Sequence, residues 1–300
     1  SGRAVKEAAR AAGARGTLVV CNGDILTNVD LRGMLARHRE CGAVVSISLA
    51  SVEEPWHFGV ADTDARLAIR RFVEKPPAGQ EPGNLINAGT WLWEQDVFDR
   101  IADDESAACD GYSERVLFPS LIADGLHVQG FMEDMWFDVG TPGRYMMATQ
   151  RLLERGAAAS RSNVLLAQDS EVAAGVSFSG LVFVGSGARI EPGATIIGPT
   201  VIGEETYVDA GATVISSVLW DDVCVGQNAF VRRSIGASGA EVGEWARVDD
   251  AILADRARVN DGHWATRRLR LAPGQVSGAR RSRRLQPSAP AAPRSLVTVQ

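Results

Sequence analysis

From Val184 onward an aliphatic residue recurs at every sixth position: Val184, Ile190, Ile196, Ile202, Val208 and Val214. Four places after each stands a small or short side chain: Ala188, Ala194, Thr200, Thr206, Ala212 and Val218. A helix needs a period near 3.6 and a simple strand a period of 2, so neither accommodates a period of six. A coil with three flat faces does. The aliphatic residue points into a narrow triangular core, the small residue fits near a corner, and Gly185, Glu191, Gly203 and Asp209 occupy turns. The register slips near Trp220, resumes at Val225 and Val231, slips again over Gly236–Gly239, and resumes at Val242, Val248, Leu253 and Val259. One turn of such a coil cannot bury its own faces, so turns must stack, and the flat faces favour self-association. The expected coil covers residues 160–265.

The preceding residues follow other rules. A helical pattern over 2–13 ends at Gly13, and strand-forming residues 17–21 run into the polar turn Asn22-Gly23-Asp24. Asp30 leads a second helix, with Leu31, Met34, Leu35 and His38 at helical spacing and an end near Gly42. Ala43–Leu49 is a near-continuous apolar run, suited to the middle of a two-sided sheet. Residues 58–62 and 71–74 read as paired strands, and 87–93 and 128–132 as further strands. Short helices are expected over 97–101 and 116–123, the latter with an awkward Pro119, and a longer one over 142–154 with proline at its start. This alternation predicts an α/β domain with a mostly parallel sheet over residues 1–155.

With 300 residues, 45% hydrophobic and 23% charged, the chain has room for two globular domains. Its charge is unevenly spread. No acidic residue follows Asp261 but eight arginines do, so the body before them carries −14, eight below the net −6. So acidic a body is a poor nucleic-acid binder, no nucleic acid is expected as a partner, and the charge suits a metal-assisted phosphate enzyme. The Arg-, Ala- and Pro-rich stretch 266–300 is expected to be disordered. Cys21, Cys41, Cys109 and Cys224 show neither pairing nor metal spacing, which fits a reducing compartment. No apolar run reaches membrane-spanning length, the opening residues do not read as a signal peptide, and a cytoplasmic location is expected. The chain begins within a helical pattern, without an initiator methionine or a leading strand, so an N-terminal piece is expected to precede it.

Several short motifs carry chemistry. Asp24 ends a strand, and Asp138 sits in Met135-Trp-Phe-Asp-Val-Gly-Thr-Pro142. Carboxylates at strand ends lie where ligands of open α/β sheets sit, and two of them can share one magnesium ion. Asn-Gly-Asp is also ordinary turn chemistry, and Trp136 and Phe137 could equally be core. In Phe72-Val-Glu74-Lys75-Pro76-Pro77 a strand ends in an acid beside a base. Lysine offers a point charge for phosphate and glutamate accepts from sugar hydroxyls, although a surface ion pair would look the same. Asn87-Ala-Gly89 and His57-Phe-Gly59-Val60 offer close backbone approach, with an amide at Asn87, or are simple bends. Trp91, Trp93 and Trp136 could shape a pocket or pack the sheet.

Taken in order and followed by a hexad coil, these motifs resemble the sugar-phosphate nucleotidyltransferases, also called nucleotide-sugar pyrophosphorylases, and within them the mannose-1-phosphate guanylyltransferase branch. The resemblance covers residues 1 to about 265. It implies an incomplete Rossmann-like nucleotidyltransferase domain followed by a left-handed parallel β-helix. It also implies transfer of a nucleotidyl group from a nucleoside triphosphate, GTP by closest likeness, to a sugar 1-phosphate, mannose 1-phosphate by the same likeness. The sugar phosphate oxygen attacks the α-phosphorus without a covalent enzyme intermediate, and pyrophosphate leaves. Carried over by motif, Asp24 and Asp138 would hold Mg2+, Lys75 would neutralise the sugar phosphate, Glu74 would bind sugar hydroxyls, Gly59, Asn87 and Gly89 would line the sugar pocket, and Thr141 would sit near the phosphates. A homo-oligomer through the β-helix is implied; nucleic acid and membrane are not.

The family's glycine-rich loop with arginine and its Pro-Lys pair find no match. The nearby Gly13 and Gly16 flank a helix end. The expectation is therefore a catalytic domain lacking about its first third and transferring little by itself. A sugar-phosphate-binding paralogue that assembles through the coil is the alternative. An acyltransferase ranks last, because the only histidine after residue 127 is His263.

Overall fold

The computed structural model describes residues 2–102, 111–266 and 268–278; Cys109 and the basic tail beyond residue 278 lie outside the described residues. The chain divides into two compact units, Ser1–Thr141 and Pro142–Gln300. The boundary falls ahead of the expected residue 155 because the helix after Asp138 groups with the second unit.

The first unit is organised around one long strand. Its elements are α1 (Gly2–Ala11), β1 (Leu18–Cys21), β2 (Ile25–Thr27), α2 (Leu31–Glu40), β3 (Val45–Ser51), β4 (Gly59–Thr63), β5 (Ile69–Glu74), β6 (Leu85–Trp93), α3 (Phe118–Ala123), β7 (Val128–Met132) and β8 (Trp136–Asp138). The sheet order is β5-β4-β6-β3-β7, with β1 also pairing β6, and β2 and β8 forming a separate ribbon. The parallel pairing expected of an α/β alternation occurs between β3 and β7, and β6 runs antiparallel to β1, β3 and β4. The connections explain the mixture. Parallel neighbours need a crossover of a dozen residues or more, whereas β4 reaches β5 through residues 64–68 alone and pairs with it antiparallel.

Local signals account for most elements. Asp30 caps α2 by accepting from Arg32 N–H at 3.1 Å and Gly33 N–H at 3.0 Å. β3 is buried on both faces along Val45–Ala50, as its apolar run requires. Pro119 is accommodated because a π-helical turn, Ser113–Leu117, precedes α3 and leaves the proline in the first turn of the helix, where its missing N–H costs nothing. His38, on the apolar side of α2, is buried and polar-bonded: Nδ1 lies 2.8 Å from Ser46 Oγ and Nε2 2.9 Å from Glu94 Oε1. The Thr17 hydroxyl and His38 together hold the Glu94 carboxyl below its ordinary range, against the effect of burial. The core is aromatic: Phe118 stands edge-on to Phe72 and Trp91 at 5.5 Å and to Trp93 at 6.2 Å, and the two tryptophans stack. Trp91 and Trp93 therefore pack the sheet.

The second unit opens with α4 (Pro142–Ser160), six residues longer than expected. A parallel β-solenoid follows, in which twenty short strands from β9 (Val164–Leu166) to β28 (Val276–Ser277) form three parallel sheets of seven, six and seven strands. The six aliphatic residues of the hexad column, Val184 to Val214, are all buried in one continuous core. The coil runs to Ser277, past the expected end at residue 265, with Leu271 buried in the same core.

Hydrogen-bonded registers locate the slips. Val182 pairs Thr200 and Thr195 pairs Thr213, a turn of three hexads, but Thr213 pairs Phe230 and Phe230 pairs Arg247, one residue fewer. The lost residue lies at one corner, where Ser216, Arg233 and Asp250 take positive φ of 44°, 47° and 53°. A buried hydroxyl ladder lines that corner. Thr200 Oγ1 accepts from Ser217 N–H, Ser217 Oγ from Ser234 N–H and Ser234 Oγ from Ala251 N–H, at 3.4, 3.2 and 3.1 Å. The small position after Ala212 thus belongs to Ser217, and Val218 is a strand residue of the next face.

Candidate functional site

On the edge of β6 opposite β3, Leu85 and Ile86 pair with β4, Thr90 to Trp93 pair with β1, and residues 87–89 pair with neither. Here β6 is also bulged, since the register against β3 shifts between Ile47 and Leu49. Bulges of this kind re-aim side chains and collect beside functional sites. Gly89 adopts φ +82°, and its carbonyl accepts from Asn22 N–H at 2.8 Å, so the turn after β1 is fastened to the bulge.

The ribbon carries the two aspartates. Ile25 lies opposite Asp138, and Val139 N–H donates to Asp24 C=O at 2.9 Å. Asp138 Oδ1 accepts from Gly140 N–H at 2.9 Å. A Cβ on Gly140 would stand 2.9 Å from Asp24 Oδ2 and 3.2 Å from Asp138 Oδ1. The two carboxylates therefore converge on one spot that only the missing side chain leaves open. Among the described residues no group of three or more His, Cys, Asp or Glu side chains could hold a metal. Two convergent carboxylates are nevertheless what magnesium uses when water and phosphate complete its shell, so the residues fit that ion. Thr141 follows, exposed, at the end of the first unit.

The remaining residues form a row across the sheet. Glu74 pairs with Gly59, Val60 with Ile86, Asn87 with Leu49 and Leu49 with Met132. A Cβ on Gly59 would lie 2.6 Å from Phe72 Cζ and 2.7 Å from Glu74 Oε2, so glycine lets the Glu74 side chain lie across its neighbour. Lys75 takes φ +46° and donates its N–H to Phe58 C=O at 3.0 Å. That left-handed residue breaks the strand alternation, and Lys75 Nζ comes to 3.7 Å from Glu74 Oε1. With the lysine side chain 60% exposed, the pair adds little stability.

Asn87 is partly committed to structure. Its Oδ1 accepts from Gly89 N–H at 3.0 Å and from Trp91 Nε1–H at 2.8 Å, so the carbonyl half of its amide is engaged within the bulge. Trp136 packs edge-on to Phe58 at 5.3 Å and donates Nε1–H to Ala88 C=O at 2.8 Å, tying the ribbon to the bulge. The structure thus places Asp24, Asp138 and Gly140 together on the ribbon and Glu74, Gly59 and Asn87 in one row, with Asn22 and Trp136 joining the two groups. Sequence reasoning assigned no role to Asn22, although it stands inside the Asn-Gly-Asp motif. It also passed over Glu133, whose only signal was an acid directly after a buried strand.

Residues 1–155 match the family described as Nucleotidyl transferase, and residues 178–278 match the GMPPB C-terminal domain. The chain belongs to the nucleotidyl transferase family. Among curated proteins it is 34% identical over 184 residues to mannose-1-phosphate guanylyltransferase of Mycobacterium tuberculosis, covering 59% of this chain and 49% of that one. It is 35% identical over 252 residues to mannose-1-phosphate guanyltransferase of Aspergillus oryzae, covering 81% and 66%. It is 28% identical over 245 residues to mannose-1-phosphate guanylyltransferase 1 of Arabidopsis thaliana, covering 81% and 63%. The chain spans about half to two thirds of the length of these relatives. Among the described residues no helix is long and apolar enough to cross a membrane.

Proposed function

We propose that this chain binds a sugar 1-phosphate beside a divalent cation and serves its nucleotidylation, with mannose 1-phosphate as the sugar and GTP as the donor. The products would be GDP-mannose and pyrophosphate. The names of the relatives support the substrates, and the convergence of Asp24 and Asp138 above Gly140 is the observation that carries the reading.

In this reading a sugar phosphate oxygen forms the new bond to the α-phosphorus, and pyrophosphate departs with the electron pair of the broken P–O bond. Nothing in such a step requires a covalent enzyme intermediate, so positioning and charge neutralisation carry the rate. Asp24 and Asp138 would hold Mg2+, which supplies positive charge at the phosphates. Lys75 would neutralise the sugar phosphate, while Glu74 and the Asn87 amide would take sugar hydroxyls. Gly59 and Gly89 would let the ring approach the backbone, and Thr141 would lie by the phosphates. Self-association through the coil belongs to the same reading, and sedimentation velocity tests it.

Calorimetric titration with mannose 1-phosphate, with and without Mg2+, is the direct test. Lys75→Ala should weaken sugar-phosphate binding by about tenfold or more, the scale of a lost charge-assisted contact of 1.5–3 kcal/mol. Asp24→Asn and Asp138→Asn should abolish the effect of Mg2+ and leave the fold intact. Absence of saturable mannose 1-phosphate binding to the wild-type chain would sink the reading. Binding without pyrophosphate release on addition of GTP would favour a sugar-phosphate-binding member of the family over a transferase.

A further inference from the structure

Glu133 follows β7 directly and is 8% exposed, an acid in the interior of the sheet unit. Its backbone N–H donates to Leu49 C=O at 3.0 Å, at the row that holds Asn87, Gly59 and Glu74. Two hydroxyls face its carboxyl. Thr27, on β2, donates to Glu133 Oε2, while its own oxygen accepts from Val29 N–H at 3.0 Å. Ser48, on β3, is the second, and its Oγ accepts from Thr90 N–H at 3.2 Å. Glu133 Oε1 and Thr90 Oγ1 are buried with no hydrogen-bond partner. One residue is therefore tied to both halves of the candidate site, by its carboxyl to Thr27 and by its backbone N–H to Leu49. Thr27 belongs to the ribbon that bears Asp24 and Asp138, and Leu49 and Ser48 lie on β3 against the bulge of β6 beside Asn87 and Gly89.

A half-satisfied buried acid is poor glue. Burial raises the Glu133 carboxyl above its ordinary range, with Thr27 and Ser48 pulling the other way. If a tie between β2 and β3 were all that was required, a neutral side chain would supply it without desolvating a carboxyl. What the acid adds is a strong acceptor for the Thr27 hydroxyl on a residue whose own N–H is tied to Leu49 of β3, and hence a fixed distance between two segments. The ribbon needs such an anchor, because it is only three residue pairs long and a two-stranded ribbon is marginal unaided.

We propose that Glu133 is a positioning residue, holding the β2–β8 ribbon, and with it the Asp24–Asp138 pair, in register with the sugar-side segment of β6. The inference rests on the reading that this pair binds a divalent cation, and it adds a residue that touches neither cation nor substrate.

Mn2+ titrated into the full 300-residue chain, with free Mn2+ followed by electron paramagnetic resonance, tests it. Glu133→Gln and Thr27→Val should each bind Mn2+ about tenfold more weakly, the scale of losing an outer-shell partner. Thr27→Ser, which keeps the hydroxyl, should bind as wild type. Affinity for mannose 1-phosphate without metal should not change, a split that a general loosening of the fold would not produce. If Glu133→Gln fails to fold, Thr27→Val decides alone. Folded variants with wild-type Mn2+ affinity overturn the inference while the metal reading stands. A wild-type chain that binds no Mn2+ overturns both.

Discussion

The two units solve burial in opposite ways. In the coil each backbone partner lies one turn away, 17 or 18 residues along the chain, and the same aliphatic column is buried turn after turn. In the sheet unit the decisive contacts are remote: Thr27 meets Glu133 across 106 residues, and Trp136 meets Ala88 across 48. The polar accounting differs as well. Among the described residues the buried side-chain atoms without a partner belong to Glu81, Thr90, Trp93 and Glu133, all in the sheet unit. The coil turns its shortened corner with a satisfied ladder of hydroxyls. Repetition fills a core cheaply and specifies one structure over and over. Bringing two carboxylates and a row of sugar-binding candidates to one edge demands remote contacts, a bulge, a left-handed lysine and orphaned atoms. Strain of this kind gathers where structure serves chemistry.

The comparison breaks most visibly at Phe118. Its ring is fully buried among Phe72, Trp91 and Trp93, so no neighbouring turn can make good its loss. Phe118→Ala should destabilise the sheet unit by about 3–5 kcal/mol. Near-ultraviolet circular dichroism reports Trp91 and Trp93 during denaturant unfolding, while far-ultraviolet signal from the coil should persist beyond the first transition. A single unchanged transition would mean that the two units do not differ in the way their cores suggest.

How much of this could be read from the chain follows the same division. The period of six is a short-range property, so the residues displayed it directly. The slips were harder. Shortening at Ser216 places Val218 where a small residue was due, and an aliphatic side chain there passes for a column member. In the sheet unit the apolar runs revealed burial but not direction, because a buried strand has the same composition whichever way its neighbours run. The antiparallel course of β6 along β1, β3 and β4 therefore did not show. Motif order picked out Asp24 and Asp138. It could not show that Asn87 Oδ1 is already engaged, nor that Glu133 is held inside by β2 and β3.

A smaller effect sharpens the coil's side. Ser234 Oγ donates to Arg232 C=O at 2.7 Å and accepts from Ala251 N–H at 3.1 Å. Alanine occupies the equivalent place at residue 251, so Ser234→Ala introduces no clash. It leaves the buried Ala251 N–H without a partner, while Arg232 C=O keeps its bond from Asp250 N–H, at a cost of about 1–3 kcal/mol. Urea unfolding of the coil should register that loss. An unchanged midpoint would show that the backbone alone holds the shortened corner, and the coil's polar accounting would then resemble that of the sheet unit.

The finest prediction concerns pH and returns to Glu133. The groups facing its carboxyl are the hydroxyls of Thr27 and Ser48, and burial lifts it above its ordinary value of 4.5. A carboxyl raised in the folded state binds its proton more tightly there than in the unfolded chain. The stability this confers is complete below the unfolded value and is lost as pH rises through the folded one. Glu133→Gln removes the titration and stays neutral throughout, while distant groups contribute equally to both proteins and cancel in the difference. The stability of Glu133→Gln relative to wild type should therefore increase as pH is raised from 4 towards neutrality, then level off above the folded value, measured as paired melting curves at each pH. A difference independent of pH, or one that moves in favour of wild type, would mean that Glu133 is not carried as a desolvated acid. Should the variant prove more stable near neutrality and yet bind Mn2+ more weakly, the sheet unit would be giving up stability to hold its ribbon in place, which the coil has no occasion to do.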